Sequence, residues 1–192
     1  MQNSNFTIQK REFISYKLLN SFFGGIAMGT VFIIYSELNP SVFSVGGIVL
    51  AIGLLIVAKL YTKILNINTF YKISMVVELV MLFAVIYFLI FPYNYTTALL
   101  VYIGYQFTFV FGGYLIRAET VFLNRPKLLS FIDVAKQKGY LGGMFFAYIF
   151  YKGLEYFDIT SNQEHVYNIH FFLLVLQIAI IYLLQKSFRK SI

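Results

Sequence analysis

The sequence predicts an all-α membrane protein of six transmembrane helices with both termini on the cytoplasmic side. Two observations carry this. Six apolar runs approach the length of a bilayer crossing, and the lysines and arginines fall almost wholly on one side of the implied membrane. Composition agrees: of the 192 residues 59% are hydrophobic and only 12% charged, and the mean hydropathy is +0.75. A water-soluble fold needs more polar surface than that.

A helix crossing about 30 Å of hydrocarbon needs about 20 residues. The runs are placed at Leu18 to Leu38, Val42 to Leu60, Ile73 to Phe91, Ala98 to Ile116, Gly139 to Phe157 and Ile169 to Leu184. Residues 1–17 are then a short cytoplasmic segment, 18–186 the membrane domain and 187–192 a basic tail. The first run is too long for the apolar core of a secretory signal, and no small-x-small cleavage site follows it. Turn residues separate the rest: Asn39-Pro40, Asn66-Ile67-Asn68, Pro92-Tyr93-Asn94, Arg125-Pro126, and the polar stretch from Asp158 to Asn168.

With the amino terminus inside, every basic residue except Lys152 lies at the inner side, fourteen of the 15. This sets the orientation; the inner (cytoplasmic) membrane is the expected location, with the lipid bilayer as first partner. The net charge of +7 is scattered between apolar runs, so nucleic acid is not an expected partner. There is no cysteine, and the two histidines, His165 and His170, stand five apart near the outer end of the sixth run. Neither a metal nor another cofactor is expected from that pattern, and no hydrolase elbow, HExxH or phosphate-loop motif points to an enzyme.

Polar groups within the apolar runs single out the candidate site. Lys17, Ser21, Gly24 and Met28 share one face of the first run, with Asn20 beside them. Tyr102, Gln106, Phe109, Gly113 and Arg117 do the same in the fourth, and Glu78 lies inside the third. Lys17 and Arg117 can reach the headgroups, and Asn20 and Gln106 can bond between helices. A carboxylate at the depth of Glu78 must protonate, reach water or find a cation, with Lys17, Lys72 and Arg117 as candidates. Lys17, Asn20, Ser21, Glu78, Gln106 and Arg117 are therefore the candidate substrate or proton-coupling residues. Glu119 and Asp133 read as carboxylates balancing an inner loop. Small residues in Gly25-Ile26-Ala27-Met28-Gly29 and at Gly46, Gly47, Gly53, Gly112, Gly113, Gly139, Gly142 and Gly143 predict close helix contacts.

This layout resembles the amino-terminal half of a major facilitator superfamily transporter, whose halves each have six spans. The segment Asn20-Ser21-Phe22-Phe23-Gly24-Gly25 leading to Gly29-Thr30-Val31-Phe32 is similar to that family's first helix, as is the tight outer turn at Asn39-Pro40-Ser41. In the inner turn after the second run only Lys63 fits the family signature; Ala58, Thr62 and Leu65 replace its glycines and aspartate. A short echo relates Phe23-Gly24-Gly25 and Thr30-Val31-Phe32 to Phe111-Gly112-Gly113 and Thr120-Val121-Phe122. The resemblance implies two inverted three-helix repeats, with the first and fourth helices lining a cavity. It also implies a half-transporter for a small solute, completed by a second copy or a similar half. The other expectations are a membrane scaffold or partner subunit derived from such a half, and a six-helix exporter of another family.

Overall fold

A computed structural model describes residues 6–190. The fold is all-α apart from one small strand pair, and its helices are β1-flanked in chain order: β1 (Phe6–Ile8), α1 (Lys10–Ile34), α2 (Pro40–Lys59), α3 (Tyr61–Ile64), α4 (Ile67–Ile90), α5 (Tyr95–Phe122), α6 (Pro126–Tyr156), α7 (Asn162–Ser187) and β2 (Phe188–Lys190). A 3-10 turn, Tyr35–Glu37, extends α1. Local chemistry sets the starts. Asn66 Oδ1 accepts the Thr69 N–H at 2.9 Å and Asn94 Oδ1 that of Thr97 at 2.8 Å, each capping a helix. Pro40 and Pro126 open α2 and α6, where a missing N–H is harmless.

Among the described residues five helices are long and apolar enough to cross a membrane: α1 with its 3-10 extension, α2, α4, α5 and α7. The chain is thus a multi-pass membrane protein. The expected fifth span, 139–157, lies within α6, whose 31 residues extend about 46 Å. Its tyrosines, glycines, Lys152 and Glu155 make it less apolar than the other five.

The helices begin and end differently from the sequence expectation. Helix α1 starts at Lys10, inside the segment expected to be a tail, and α7 starts at Asn162, inside the expected outer loop. Residues 188–190, read as a tail, form β2, which pairs antiparallel with β1 in the register Phe6 with Lys190, Thr7 with Arg189 and Ile8 with Phe188. Phe188 packs on Phe13, Phe70 and Tyr71, so the strand pair clasps the neighbouring ends of α1, α4 and α7.

Long helices alternate in direction. Helix α1 lies against α6 and α7, α5 against α2 and α4, and α4 meets α7. The α1–α6 contact is very close, because a Cβ on Gly139 or Gly143 would strike the carbonyl oxygens of Leu18 or Phe22, and one on Gly25 that of Tyr140. Gly46 and Gly53 similarly admit Tyr102 and Val110 of α5. Gly29, Gly47 and Gly112 face open space instead. Helix α2 is the least covered, with Val57 its one buried residue among those described.

Candidate functional site

The site begins with a match of depth. Asn20 is ten residues into α1, Glu78 eleven into α4 and Gln177 ten before the end of α7. All three therefore lie about 15 Å from the clasp end, near mid-bundle. Tyr16, one turn before Asn20 on the same face, reaches toward them.

Glu78 is 2% exposed, and its carboxylate is enclosed by neutral donors. The Tyr16 hydroxyl donates to Oε1 at 2.7 Å, and Asn20 Nδ2 donates to the same oxygen at 2.9 Å. Gln177 Nε2 donates to Oε2 at 2.8 Å and to the Glu78 backbone carbonyl at 2.9 Å. Both carboxylate oxygens are satisfied by groups that carry no charge. The expected cation partner is therefore not what holds Glu78. Lys72 and Arg117 are exposed, and Lys17 is engaged elsewhere. Three helices are tied at this one side chain, which makes it the polar centre of the bundle.

Lys17 forms a second cluster at the clasp end. Its Nζ lies 2.7 Å from Glu119 Oε2 on α5, and Lys136 Nζ of α6 lies 2.5 Å from Oε1. The Lys17 contact is one of charge, not an aligned hydrogen bond. Lys17 Nζ also stands 5.3 Å from the Phe13 ring and 5.5 Å from that of Tyr16. Because α5 continues to Phe122, Glu119 is buried inside the bundle, 3% exposed, and is not a loop residue. Asp133 is 3.3 Å from Lys136 but 70% exposed, so it adds little.

Removing the charge of Glu119 leaves two partly covered ammonium groups facing each other. Glu119→Gln is expected to destabilise the chain by about 2 kcal/mol, less than a fully buried pair because both lysines can bend toward water. Thermal unfolding in detergent, with Lys17→Met and the double variant completing a cycle, measures the coupling; strict additivity would show that the contact contributes nothing.

The remaining candidates lie apart. Ser21 is 7% exposed and turned toward Gly139 of α6. The oxygen of Gln106 is enclosed without a hydrogen-bond partner among the described residues. Arg117 is exposed, its guanidinium 5.6 Å from the Tyr61 ring. The polar stripe of α1 is thus largely satisfied within the chain and is not an open face. Glu78 and Asn20 are joined directly, Lys17 belongs to the neighbouring cluster, and Ser21, Gln106 and Arg117 join neither.

Sequence reading missed Tyr16 and Gln177. Gln177 had a signal, being a lone amide in the middle of the sixth apolar run. Tyr16 had none, since it fell in the segment expected outside the membrane. No protein family, curated protein sequence or solved structure matches this chain.

Proposed function

We propose that the chain is a six-span half-transporter for a small solute, working in the cytoplasmic membrane as a parallel pair of halves with Glu78 as its coupling group. The carrying observation is the packing pattern. Exchanging α1 with α5, α2 with α6 and α4 with α7 maps the main contacts onto themselves: α1–α6 becomes α5–α2, α1–α7 becomes α5–α4, and α4–α7 is unchanged. Exchanged helices run in opposite directions, as two inverted three-helix repeats require.

Six crossings are supported by the strand clasp. It holds both ends of the chain at one end of the bundle, which calls for an even number of crossings. Helix α6, running beside α1, then completes the five more apolar spans. Reporter fusions after Lys63, after Lys127 and at the carboxyl terminus are expected to report cytoplasm, and fusions near Pro92 and Asn162 the outer side. A cytoplasmic signal at Asn162 removes this topology.

Burial of the α1 stripe moves the pairing surface of the two halves. Ser21 faces its own α6, whereas Met28, Gly29 and Phe32 of α1 and Phe109, Gly113 and Ile116 of α5 are exposed. Single cysteines at Phe32 and Phe109 are expected to crosslink between copies, and nanodisc mass measurement to give two chains. Ligand-dependent thermal stabilisation then screens solutes. A one-chain mass without crosslinks favours the second reading, a non-transporting scaffold or partner subunit, which the internally satisfied polar stripe already supports.

A further inference from the structure

Glu78 is not the only buried titratable group on the seam between α4 and α7. His170 is 5% exposed and lies seven residues before Gln177, hence on the same face of α7 and about 10 Å farther from the clasp end. Its ring packs on Phe88 with centroids 4.2 Å apart. Its Nδ1 stands 2.6 Å from the Val166 carbonyl oxygen, so Nδ1 carries the hydrogen and, in the neutral ring, Nε2 is left as an acceptor.

Beside this ring the four central helices leave a small void. Thr30 of α1, Met81 and Ala84 of α4, Tyr105 of α5, and His170 and Leu173 of α7 are among the groups that line it. It holds about 10 Å³, room for one water and for nothing larger. Three of these side chains are polar. Thr30 Oγ1 has already given its hydrogen to Ala27 O at 2.8 Å and retains acceptor capacity. The Tyr105 hydroxyl can donate or accept, and His170 Nε2 accepts. A water there has three polar side chains around it, whereas an apolar void of equal size stays dry.

The geometry points to an internal water site between Thr30, Tyr105 and His170 that makes His170 a second proton-exchanging station, two helical turns outward of Glu78. A proton arriving through the water bonds to the Nε2 lone pair, giving a ring protonated at both nitrogens, while Nδ1–H stays on Val166. Its departure restores the neutral ring. Among the described residues no carboxylate lines the void, and the titratable groups that line it are His170 and Tyr105. Glu78 lies one turn inward of Met81 on α4, so the two stations divide the thickness of the bundle. The idea rests on the proposed coupling role of Glu78 only for its use, not for the water site itself.

Nuclear magnetic resonance of histidine-labelled protein in nanodiscs tests it directly. The chain has two histidines, and they carry opposite tautomers: His165 uses Nε2 toward Ile159 O at 2.7 Å, and His170 uses Nδ1. Their signals are separable without a variant. Magnetisation transfer from water to His170 Nε2 is expected in the wild-type chain and its loss in Thr30→Val with Tyr105→Phe. A wild-type ring without water contact overturns the site, as does transfer that survives in a folded double variant. Proteoliposomes loaded with a pH-sensitive dye separate site from use. Proton flux lost in folded His170→Phe as in folded Glu78→Gln supports the path, and flux that survives in His170→Phe removes it. Water contact without any wild-type flux leaves the site standing and removes the coupling role of Glu78.

Discussion

Glu78→Leu is expected to destabilise the folded chain by about 3 kcal/mol, which is among the largest effects a single substitution can have here. The leucine removes the acceptor for Tyr16, Asn20 and one of the two Gln177 contacts, leaving buried donors without partners on two other helices. Hydrogen bonds between membrane helices contribute about 0.6 kcal/mol on average and at most about 1.7, so three lost together bring the total to that range. Glu78→Gln is a sharper test. Its amide has nearly the same shape but turns one acceptor into a donor, which then faces Tyr16 and Asn20 or Gln177. Tyr16 can rotate its hydroxyl and Asn20 can flip, yet a flipped Gln177 would bring its oxygen against the Glu78 carbonyl. Glu78→Gln is thus expected to be destabilised by about 1 kcal/mol, between wild type and leucine. Equal stability of all three in detergent unfolding would show that the enclosure of Glu78 by donors has no energetic weight.

Gly143→Leu is expected to separate α1 from α6 and to abolish the native bundle, with Gly143→Ala the informative milder case. A Cβ at 143 meets the Phe22 carbonyl and lies 3.0 Å from Ile26 N, and both are backbone atoms that cannot swing away. Overpacking of this kind costs about 1 to 3 kcal/mol, occasionally more, and relief requires moving one whole helix. Gly139→Ala should act similarly, since the carbonyl of Leu18 faces it. Gly29→Ala and Gly112→Ala, where nothing stands near, serve as controls and should gain slightly from better helix propensity. Circular dichroism melts of the set order them, and a Gly143→Ala protein as stable as the Gly29→Ala control would refute the close approach.

Much of the fold was legible because hydrocarbon enforces length and polarity. The second helix lies close to its expected run, the third starts six residues before its run and the fourth ends six after its own, and Glu78 was conspicuous as a carboxylate in the third. What completes the site was not legible. Tyr16 and Gln177 reach Glu78 across 62 and 99 residues of chain, and nothing local specifies such a meeting. Lys17 was a natural partner for Glu78 by charge, but Glu119 satisfies it better once α5 is seen to run on to Phe122. Hydropathy could not reveal that continuation, because helices extend past the apolar run wherever their ends pack on neighbours. Glycine spacing predicted close contacts, yet only geometry distinguishes Gly25, which meets α6, from Gly29, which meets nothing.

The order of synthesis gives the donors around Glu78 a temporal meaning. Tyr16 and Asn20 precede the glutamate, so two donors are in place when the third helix is threaded into lipid. Gln177 follows by 99 residues, a delay of about 5 to 20 s at common elongation rates. For that interval one carboxylate oxygen waits without its donor, and the strand that will fasten β1 has not yet been made. A nascent or prematurely terminated chain lacking its last helix therefore carries a half-satisfied acid in the membrane and an unpaired leading strand. Those are two features by which an unfinished copy differs physically from a finished one.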